Sequence, residues 1–326
     1  MKISTLFLSA IVLLAFTFTA KSQTAYTLKN NDVTVIKGVL TSTTLTDATG
    51  DNYRPSVIIP NKLDGQVIKK IGNNAFQANG LTAVRLPSGL TAIGDFAFQN
   101  NRISNVDLPA GLISIGEGAF EFNTLTRVDL PAGITSVSKG AFATNSINHV
   151  TWPKGLKSVQ GSAFRDNSLV IVDLPAGVTS IGDFAFQNNR ITRVTFPPGI
   201  TTIEDSAFNV NFLITVDLPA GLKTIEESAF RDNRLTHLNL PKELEYIGEK
   251  AFLANRLTHV DLPDGVTYIG KDTFKINSDF NNFVLPKGTT ANTPLKWQAS
   301  DGTILDSKHI VSTDSFGKSY KAITLD

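Results

Sequence analysis

The amino-acid sequence predicts a β-rich solenoid of about ten stacked 22-residue units, with short parallel strands and a cap at each end. Two observations predict this fold class. A phenylalanine and an asparagine recur at fixed places in every unit, and each unit carries two short apolar segments rich in β-branched residues. Because a unit this short cannot bury its apolar side chains alone, successive units must stack and share one continuous core.

The repeat shows most clearly in a duplicated segment. The sequence IGDFAFQNNRI occurs at Ile93–Ile103 and again at Ile181–Ile191, 88 positions apart, which is four times 22. The recurrent phenylalanines are Phe76, Phe98, Phe120, Phe142, Phe164, Phe186, Phe208, Phe230, Phe252 and Phe274. Asparagine follows each phenylalanine by three residues. A period carried through ten units indicates a repeating structural unit rather than a motif with its own chemistry.

Each unit is expected to contain two extended segments and a turn. The pattern Val84-x-Leu86 directs two side chains to the same face, as in a β-strand. Pro87 ends this segment, because proline cannot donate a hydrogen bond to a β-ladder. A second extended segment, rich in β-branched residues across the units, ends at Ile93. The residues that follow form a turn, expected as one turn of helix, which directs Phe98 inward.

The recurrent asparagine is expected to be structural. A buried amide without partners costs about 1–3 kcal/mol, so an inward-facing asparagine in every unit needs hydrogen bonds. We expect a ladder in which each asparagine binds the backbone of its own and a neighbouring unit. Ligand binding is the alternative, but a position that never varies over ten units fits a structural role better.

Written in its commonest letters, the unit is L-x-x-V-x-L-P-x-G-L-x-x-I-G-x-x-A-F-x-x-N, which resembles the BspA-type, or treponemal-type, leucine-rich repeat. The resemblance covers residues 57–288, and the longer lead-in at 57–76 resembles the family's usual first repeat. The chain departs from the family in a unit one residue shorter than the commoner one, and in asparagine where cysteine is frequent. The resemblance implies a right-handed leucine-rich-repeat coil with a parallel sheet on one face. It also implies a secreted or surface protein that binds other macromolecules and has no catalytic residues to carry over.

The N-terminus has the features of a secretory signal peptide, residues 1–22. Lys2 precedes the mostly apolar run Leu6–Ala20, and Ala20-Lys21-Ser22 supplies small residues for cleavage. The run is short for a membrane span, which needs about 20 residues. We therefore expect export to the medium or the cell surface of a bacterium, with no transmembrane segment in the mature chain. An uncleaved anchor is the alternative.

The two ends differ from the repeats. Residues 23–56 are predicted to form an N-terminal β cap, because they contain the strand-like segment DVTVIKGVL. Residues 289–326 leave the period, and WQASDGTIL followed by SYKAITL predicts a hairpin-like C-terminal β cap or a small module. Both ends of a solenoid need such caps, because an open end is an unpaired edge.

Composition excludes several function classes. The formal net charge of +1 gives no reason to expect nucleic acid or an anionic membrane as a partner. Cysteine is absent, which excludes disulfides and thiolate metal sites. No cofactor is expected.

The residues on either side of the valine in the first extended segment should face solvent and form two columns along the sheet. The first column is Ala83, Asn105, Arg127, His149, Ile171, Arg193, Thr215, His237 and His259. The second column is Arg85, Asp107, Asp129, Thr151, Asp173, Thr195, Asp217, Asn239 and Asp261. Either the basic and acidic columns offset each other, as Arg127 with Asp129, or the face binds a ligand.

Candidate binding residues are therefore Arg127, Asp129, His149, Asp173, Arg193, Asp217, His237, His259 and Asp261, together with the off-template aromatics Phe122 and Phe212. Exposed aromatic residues are enriched at protein interfaces. Trp152, also off-template, occupies an inward column and is expected in the core. A metal held by His237, His259 and Asp261 is considered but weakly supported, because no third histidine lies nearby.

These features predict an exported, non-enzymatic, adhesin-like interaction protein that binds an extracellular protein or glycan through its sheet face. One alternative is a carbohydrate-active enzyme of the parallel β-helix kind, which would need two carboxylates in a cleft and a break in the repeat. The sequence has neither feature. A purely structural surface element is the other alternative, and the sequence does not separate it from a binding protein.

Overall fold

The computed structural model describes residues 25–46, 54–277, 282–286, 296–306, 310–312 and 315–323. The predicted signal peptide, residues 1–22, lies outside these residues. The described chain forms short β-strands, numbered β1–β26 in chain order, and one 3₁₀ helix at Asn30–Asp32.

The strands fall into four groups. The N-terminal strands are β1 (Tyr26–Thr27), β2 (Val33–Ile36), β3 (Val39–Thr43), β5 (Lys62–Leu63) and β6 (Gln66–Val67). The face strands are β4 (Ser56–Ile58), β8 (Ala83–Arg85), β11 (Arg127–Asp129), β13 (His149–Thr151), β15 (Ile171–Asp173) and β17 (Arg193–Thr195). The second strands are β7 (Lys70–Ile71), β9 (Ala92–Ile93), β10 (Ser114–Ile115), β12 (Ser136–Val137), β14 (Ser158–Val159), β16 (Ser180–Ile181), β18 (Thr202–Ile203), β19 (Thr224–Ile225), β20 (Tyr246–Ile247) and β21 (Tyr268–Ile269). The C-terminal strands are β22 (Asn282–Val284), β23 (Lys296–Ala299), β24 (Ile304–Asp306), β25 (Ile310–Ser312) and β26 (Tyr320–Ile323).

Successive units pair in parallel with a register of one unit, which confirms the predicted solenoid. Ile93 of β9 lies beside Ile115 of β10, and Arg127 of β11 lies beside His149 of β13. The parallel sheet expected on the face is present only in pieces, because β13 does not pair with β15 and no strand forms at 105–107, 215–217, 237–239 or 259–261. At 105–107 the backbone hydrogen bond from Ser104 to Thr82 lengthens to 3.4 Å.

The recurrent phenylalanines form one column of stacked, buried rings. Centroids of neighbouring rings lie 5.2 Å apart at Phe76 and Phe98 and 5.9 Å apart at Phe164 and Phe186, with nearly parallel planes. Burial of each ring contributes roughly 1.5–3 kcal/mol. Trp152 is half-buried and contacts Phe164 edge-on at 5.2 Å, so it packs against this column from its side.

The expected asparagine ladder is confirmed. The side-chain amide of Asn189 donates to the carbonyl oxygens of Phe164, in the preceding unit, at 2.9 Å and of Phe186, in its own unit, at 3.1 Å. Its side-chain oxygen accepts the backbone N–H of Leu169 at 3.0 Å. The same three contacts recur at Asn101, Asn123, Asn145, Asn167, Asn211, Asn233, Asn255 and Asn277.

The prediction of a helical turn before each phenylalanine is wrong. The residues two before and two after the phenylalanine have left-handed backbones, as at Phe96 (φ 55°) and Asn100 (φ 57°). The N–H of Phe98 then donates to the carbonyl of Ala119, in the next unit, at 2.8 Å instead of closing a helical turn. This position therefore adds another line of hydrogen bonds between units.

Strands from both ends pair with the terminal units. At the N-terminal end, β3 lies parallel to β7 and β2 pairs antiparallel with β3. The first ladder asparagine, Asn79, donates to the carbonyl of Leu45 at 3.0 Å, so the N-terminal segment replaces a preceding unit. At the other end, β26 pairs antiparallel with β21 and β25 with β22. The segment with the hairpin-like sequence forms the antiparallel pair β23–β24.

Replacement of Asn189 by alanine should destabilise the solenoid by about 1–3 kcal/mol, because the buried N–H of Leu169 loses its partner and two phenylalanine carbonyls each lose one of their two asparagine donors. Urea unfolding of the purified protein measures the change. Asn148→Ala is the matched control, since that asparagine is exposed and surface substitutions usually stay within about 0.5 kcal/mol. Equal effects of the two substitutions would contradict the ladder's role.

Replacement of Ile276 by asparagine should stabilise the protein by about 1 kcal/mol, because the left-handed backbone (φ 57°) is costly for a β-branched residue. The isoleucine side chain is 70% exposed, so little burial is lost. The reciprocal substitution Asn100→Ile, at an equivalent left-handed site, should destabilise by a similar amount. Thermal unfolding of both variants checks the opposite signs, and shifts of the same sign would refute the explanation.

Candidate interaction face

In the units that form face strands, the two predicted columns lie side by side on the outer surface of those strands. The column residues at 105–107, 215–217, 237–239 and 259–261 lie in segments without a strand. Each of β8, β11, β13, β15 and β17 has an exposed residue, a buried residue and an exposed residue in that order. The reason is the two-residue alternation of a strand, which directs the central side chain to the core and its neighbours to solvent. The solenoid thus presents the flanking residues as a regular array.

Arg127 and Asp129 form a two-pronged ion pair within one strand. Arg127 Nε donates to Asp129 Oδ2 and Nη2 donates to Oδ1, both at 2.9 Å. The hydroxyl of Thr151, on the next unit, donates to the same carboxylate. These hydrogen bonds favour the charged form, so the pKa of Asp129 lies below its usual value and the pKa of Arg127 above it.

A second ion pair of the same kind joins neighbouring units. Arg193 Nη2 lies 3.0 Å from Asp173 Oδ2, and the hydroxyl of Thr195 donates to Asp173 Oδ1 at 2.7 Å. In both places a threonine, rather than a second aspartate, lies beside the carboxylate on the adjacent paired strand. This alternation avoids repulsion between like charges on neighbouring strands.

The three histidines of the first column have different surroundings. His149 lies beside Arg127 in the strand register, and His237 Nδ1 lies 3.0 Å from the hydroxyl of Thr236. His259 Nε2 contacts Asp261 Oδ1 at 2.9 Å. The metal site considered for His237, His259 and Asp261 is not assembled, since the described part of the chain has no group of three or more potential ligands.

The rest of the face continues toward the C-terminal end. Asp217 joins the array through a parallel bridge with Thr195. A cleft of about 230 Å³ lies between the His259–Asp261 pair and β22. The face therefore ends in a concave region instead of continuing as a flat sheet.

The two candidate aromatics occupy different columns of the coil, two and four residues after the recurrent phenylalanine of their units. Phe122 is 50% exposed and lines a cavity of about 340 Å³ on the turn side, with Phe96 and Arg165. Phe212 is 38% exposed and lies just before the face, with the guanidinium of Arg234 4.1 Å from its ring centre. The structure does not bring Phe122 to the face residues.

Sequence reasoning missed an acidic ridge beside the second strands. It consists of Asp183, Glu204, Asp205, Glu226, Glu227 and Glu249. Partial burial, and then the charges of Asp183 and Glu226, raise the pKa of Glu204. Burial raises the pKa of Glu226 as well, followed by the charges of Asp205 and Asp183. Aligning the units by their phenylalanines would have found the ridge, since its members occupy two adjacent positions of the unit.

Comparison with known proteins identifies the repeat. The family model for the BspA type leucine rich repeat region matches residues 55–170 and 162–281. The chain belongs to this family. Among curated proteins, none matches the chain significantly.

The fold of the chain is similar to that of two solved structures. The pneumococcal vaccine antigen PcpA is 20% identical, with a TM-score of 0.57, over 78% of this chain and 80% of that one. A leucine rich cell surface protein from Faecalibacterium prausnitzii A2-165 is 22% identical, with a TM-score of 0.51, over 80% of each chain. At these identities the similarity establishes a common fold alone. Within the described residues of this BspA-type protein, no helix has the length and apolar character to cross a membrane.

Replacement of Arg127 by glutamine should raise the pKa of Asp129 toward the ordinary value of about 3.9, because the hydrogen bonds from Arg127 are the largest cause of its depression. Since the folded-state pKa is depressed, the ion pair stabilises the fold above pH about 4 and is lost as pH falls through the folded-state value. A carbon-13 NMR titration of the Asp129 carboxyl group measures the shift. Arg193→Gln is the control and should leave this titration unchanged, while an unchanged titration in Arg127→Gln would refute the assignment.

Proposed function

We propose that this protein is an exported, non-enzymatic, adhesin-like scaffold that binds an extracellular protein or glycan through its sheet face. The observation that carries the proposal is a contrast between columns of the same solenoid. The phenylalanine and asparagine columns are uniform because packing fixes them, whereas the face columns vary from unit to unit on the same rigid support. Separation of a fixed scaffold from a variable surface is the usual arrangement of binding solenoids.

Export and surface location are part of the proposal. The signal-like segment 1–22 supports export, with 23–56 and 289–326 as caps on the solenoid at 57–288. Similarity to a pneumococcal vaccine antigen and to a cell surface protein supports a location on or outside a bacterial cell. In the mature chain the face would then be available to extracellular macromolecules.

Glycoside hydrolysis is the weaker alternative. A glycosidase needs a general acid with a raised pKa in a cleft, opposite a second carboxylate. The pKa of Asp129 is lowered instead, and Asp173 is hydrogen-bonded to Arg193 and Thr195 on an exposed strand. Neither face carboxylate is prepared to donate a proton, and the carboxyl groups whose pKa is raised, Glu204 and Glu226, lie on the acidic ridge beside the second strands rather than on the face.

Binding to an array of extracellular matrix proteins and glycans, followed by surface plasmon resonance, tests the proposal. Combined substitution of Arg127, His149 and Arg193 by alanine should lower affinity for the bound ligand at least tenfold, because it removes three cationic or hydrogen-bonding groups from one column. Circular dichroism should show an intact fold, since all three side chains are exposed.

Combined substitution of Lys69, Lys157 and Lys223 by alanine is the matched control. These lysines also share one exposed column, but they precede the second strands and lie away from the face. Their loss should leave affinity unchanged. Equal losses in the two triple variants would refute recognition by the face, and the absence of any ligand on the array would favour a purely structural element.

A further inference from the structure

One edge of the face carries an exposed apolar group flanked by arginines. We call Val170, Arg190, Phe212, Ile214, Arg234 and Arg256 the arginine-flanked patch. Phe212 begins the segment that leads into the face. Val170 and Ile214 occupy one column of the coil, two residues further along the chain than the column of Phe212. Val170 is 43% and Ile214 51% exposed, so the patch presents large apolar side chains to solvent.

The patch is contiguous because backbone hydrogen bonds join its units. The N–H groups of Phe212, Arg234 and Arg256 each donate at 2.9 Å to the preceding unit, and that of Arg190 does so at 3.0 Å. Four successive units thus place these side chains in one column, about 4.8 Å apart per step. The column is on the order of 14 Å long.

Folding does not require apolar residues at these positions. The column of Val170 and Ile214 holds threonine in most other units, and the hydroxyl of Thr192 donates to the Val170 carbonyl at 3.3 Å. Valine and isoleucine cannot make this side-chain hydrogen bond, and they expose apolar surface to water. Exposed apolar residues that lie in a group, unlike single ones, mark an interaction surface.

The charge of the patch is uncompensated. Arg190, Arg234 and Arg256 form no ion pair among the described residues. The carboxylate nearest to Arg234 in sequence, Asp232, pairs instead with Arg231 at 3.0 Å. Arg234 lies over the ring of Phe212, which joins a cation to an aromatic anchor. Arginine and aromatic residues contribute most to binding at interface hot spots.

We infer that the arginine-flanked patch binds an extended segment of a partner protein in which acidic and apolar side chains alternate. The inference rests on the proposed binding function and names its contact region and partner class. Acidic side chains would pair with the three arginines, and apolar side chains would cover Val170, Phe212 and Ile214. Aliphatic side chains form no ion pair or hydrogen bond with a sulfated glycan or a nucleic acid. A protein segment that carries apolar side chains therefore fits the patch better than either of these polyanions.

Pools of twelve-residue peptides are the probe, with the full mature chain immobilised for surface plasmon resonance. Peptides that alternate Asp or Glu with Leu, Ile or Phe should bind. Peptides that replace the apolar positions by serine, peptides that replace the acids by lysine, and heparin should bind at least tenfold more weakly. Equal binding of heparin or of the serine peptides would overturn the inference, as would no binding by any acidic–apolar pool.

The double variant Phe212→Ser, Ile214→Thr should lower affinity for the acidic–apolar peptides at least tenfold. Both new residues occupy the same positions in other units, as Ser168 and Thr192, so the fold should persist. The triple variant Arg190→Gln, Arg234→Gln, Arg256→Gln should lower affinity and reduce its dependence on salt. Ile113→Thr is the matched control, because it removes an exposed isoleucine elsewhere and restores the common residue of its column.

Failure of this inference is distinguishable from failure of the proposed function. If an array ligand is lost in the Arg127, His149 and Arg193 variant but retained in both patch variants, the patch is not the contact region and the face proposal stands. Self-association that disappears in the Phe212→Ser, Ile214→Thr variant in sedimentation would overturn the inference in favour of a second copy of this chain. Unchanged affinity in both patch variants would also overturn it.

Discussion

The structure depends on the hydrogen bonds of a single amide per unit. Apart from the first, each ladder asparagine binds the phenylalanine carbonyls of its own and the preceding unit and the backbone N–H of the residue that begins its own unit, as Asn189 does with Phe186, Phe164 and Leu169. Hydrophobic burial supplies most of the stabilisation, but it is non-directional and sets no spacing. The amide is directional, so it fixes the distance and register between units. The stacked phenylalanine rings lie beside it at spacings that this register permits.

Such a core leaves the outer surface free to vary. Each unit contacts its neighbours alone, so a substitution on an outer column changes neither the ladder nor the phenylalanine stack. The N-terminal segment supplies the carbonyl of Leu45 to the first ladder asparagine, Asn79. At the other end, antiparallel pairing of β26 with β21 interrupts the parallel series. The intervening units can therefore carry recognition residues at little structural cost.

The face and its edge differ in how their charges are arranged. On the face, Arg127 and Arg193 are paired with aspartates, so a ligand there meets groups that already have partners. At the edge, the arginines around Phe212 have no carboxylate partner among the described residues and lie beside exposed apolar side chains. A charge with no partner can contribute more free energy to a new contact than a charge whose existing ion pair must first be broken. Both surfaces have the same rigid support, which limits the entropy lost when a ligand binds.

The sequence by itself determined the stack, the inward columns and the asparagine ladder, because a repeat presents the same local environment many times and the recurring letters show which residue types that environment requires. It left open whether Arg127 and Asp129 offset each other or bind a ligand. Tertiary structure alone decided the backbone of the turn. Phe96 adopts a left-handed conformation that its residue type does not favour, since its N–H binds the carbonyl of Glu117 in the next unit rather than one in its own. It also decided that Phe122 lines a cavity while Phe212 lies against Arg234, and that strands form along only part of the face. These features depend on hydrogen bonds between units, whose geometry no single unit contains.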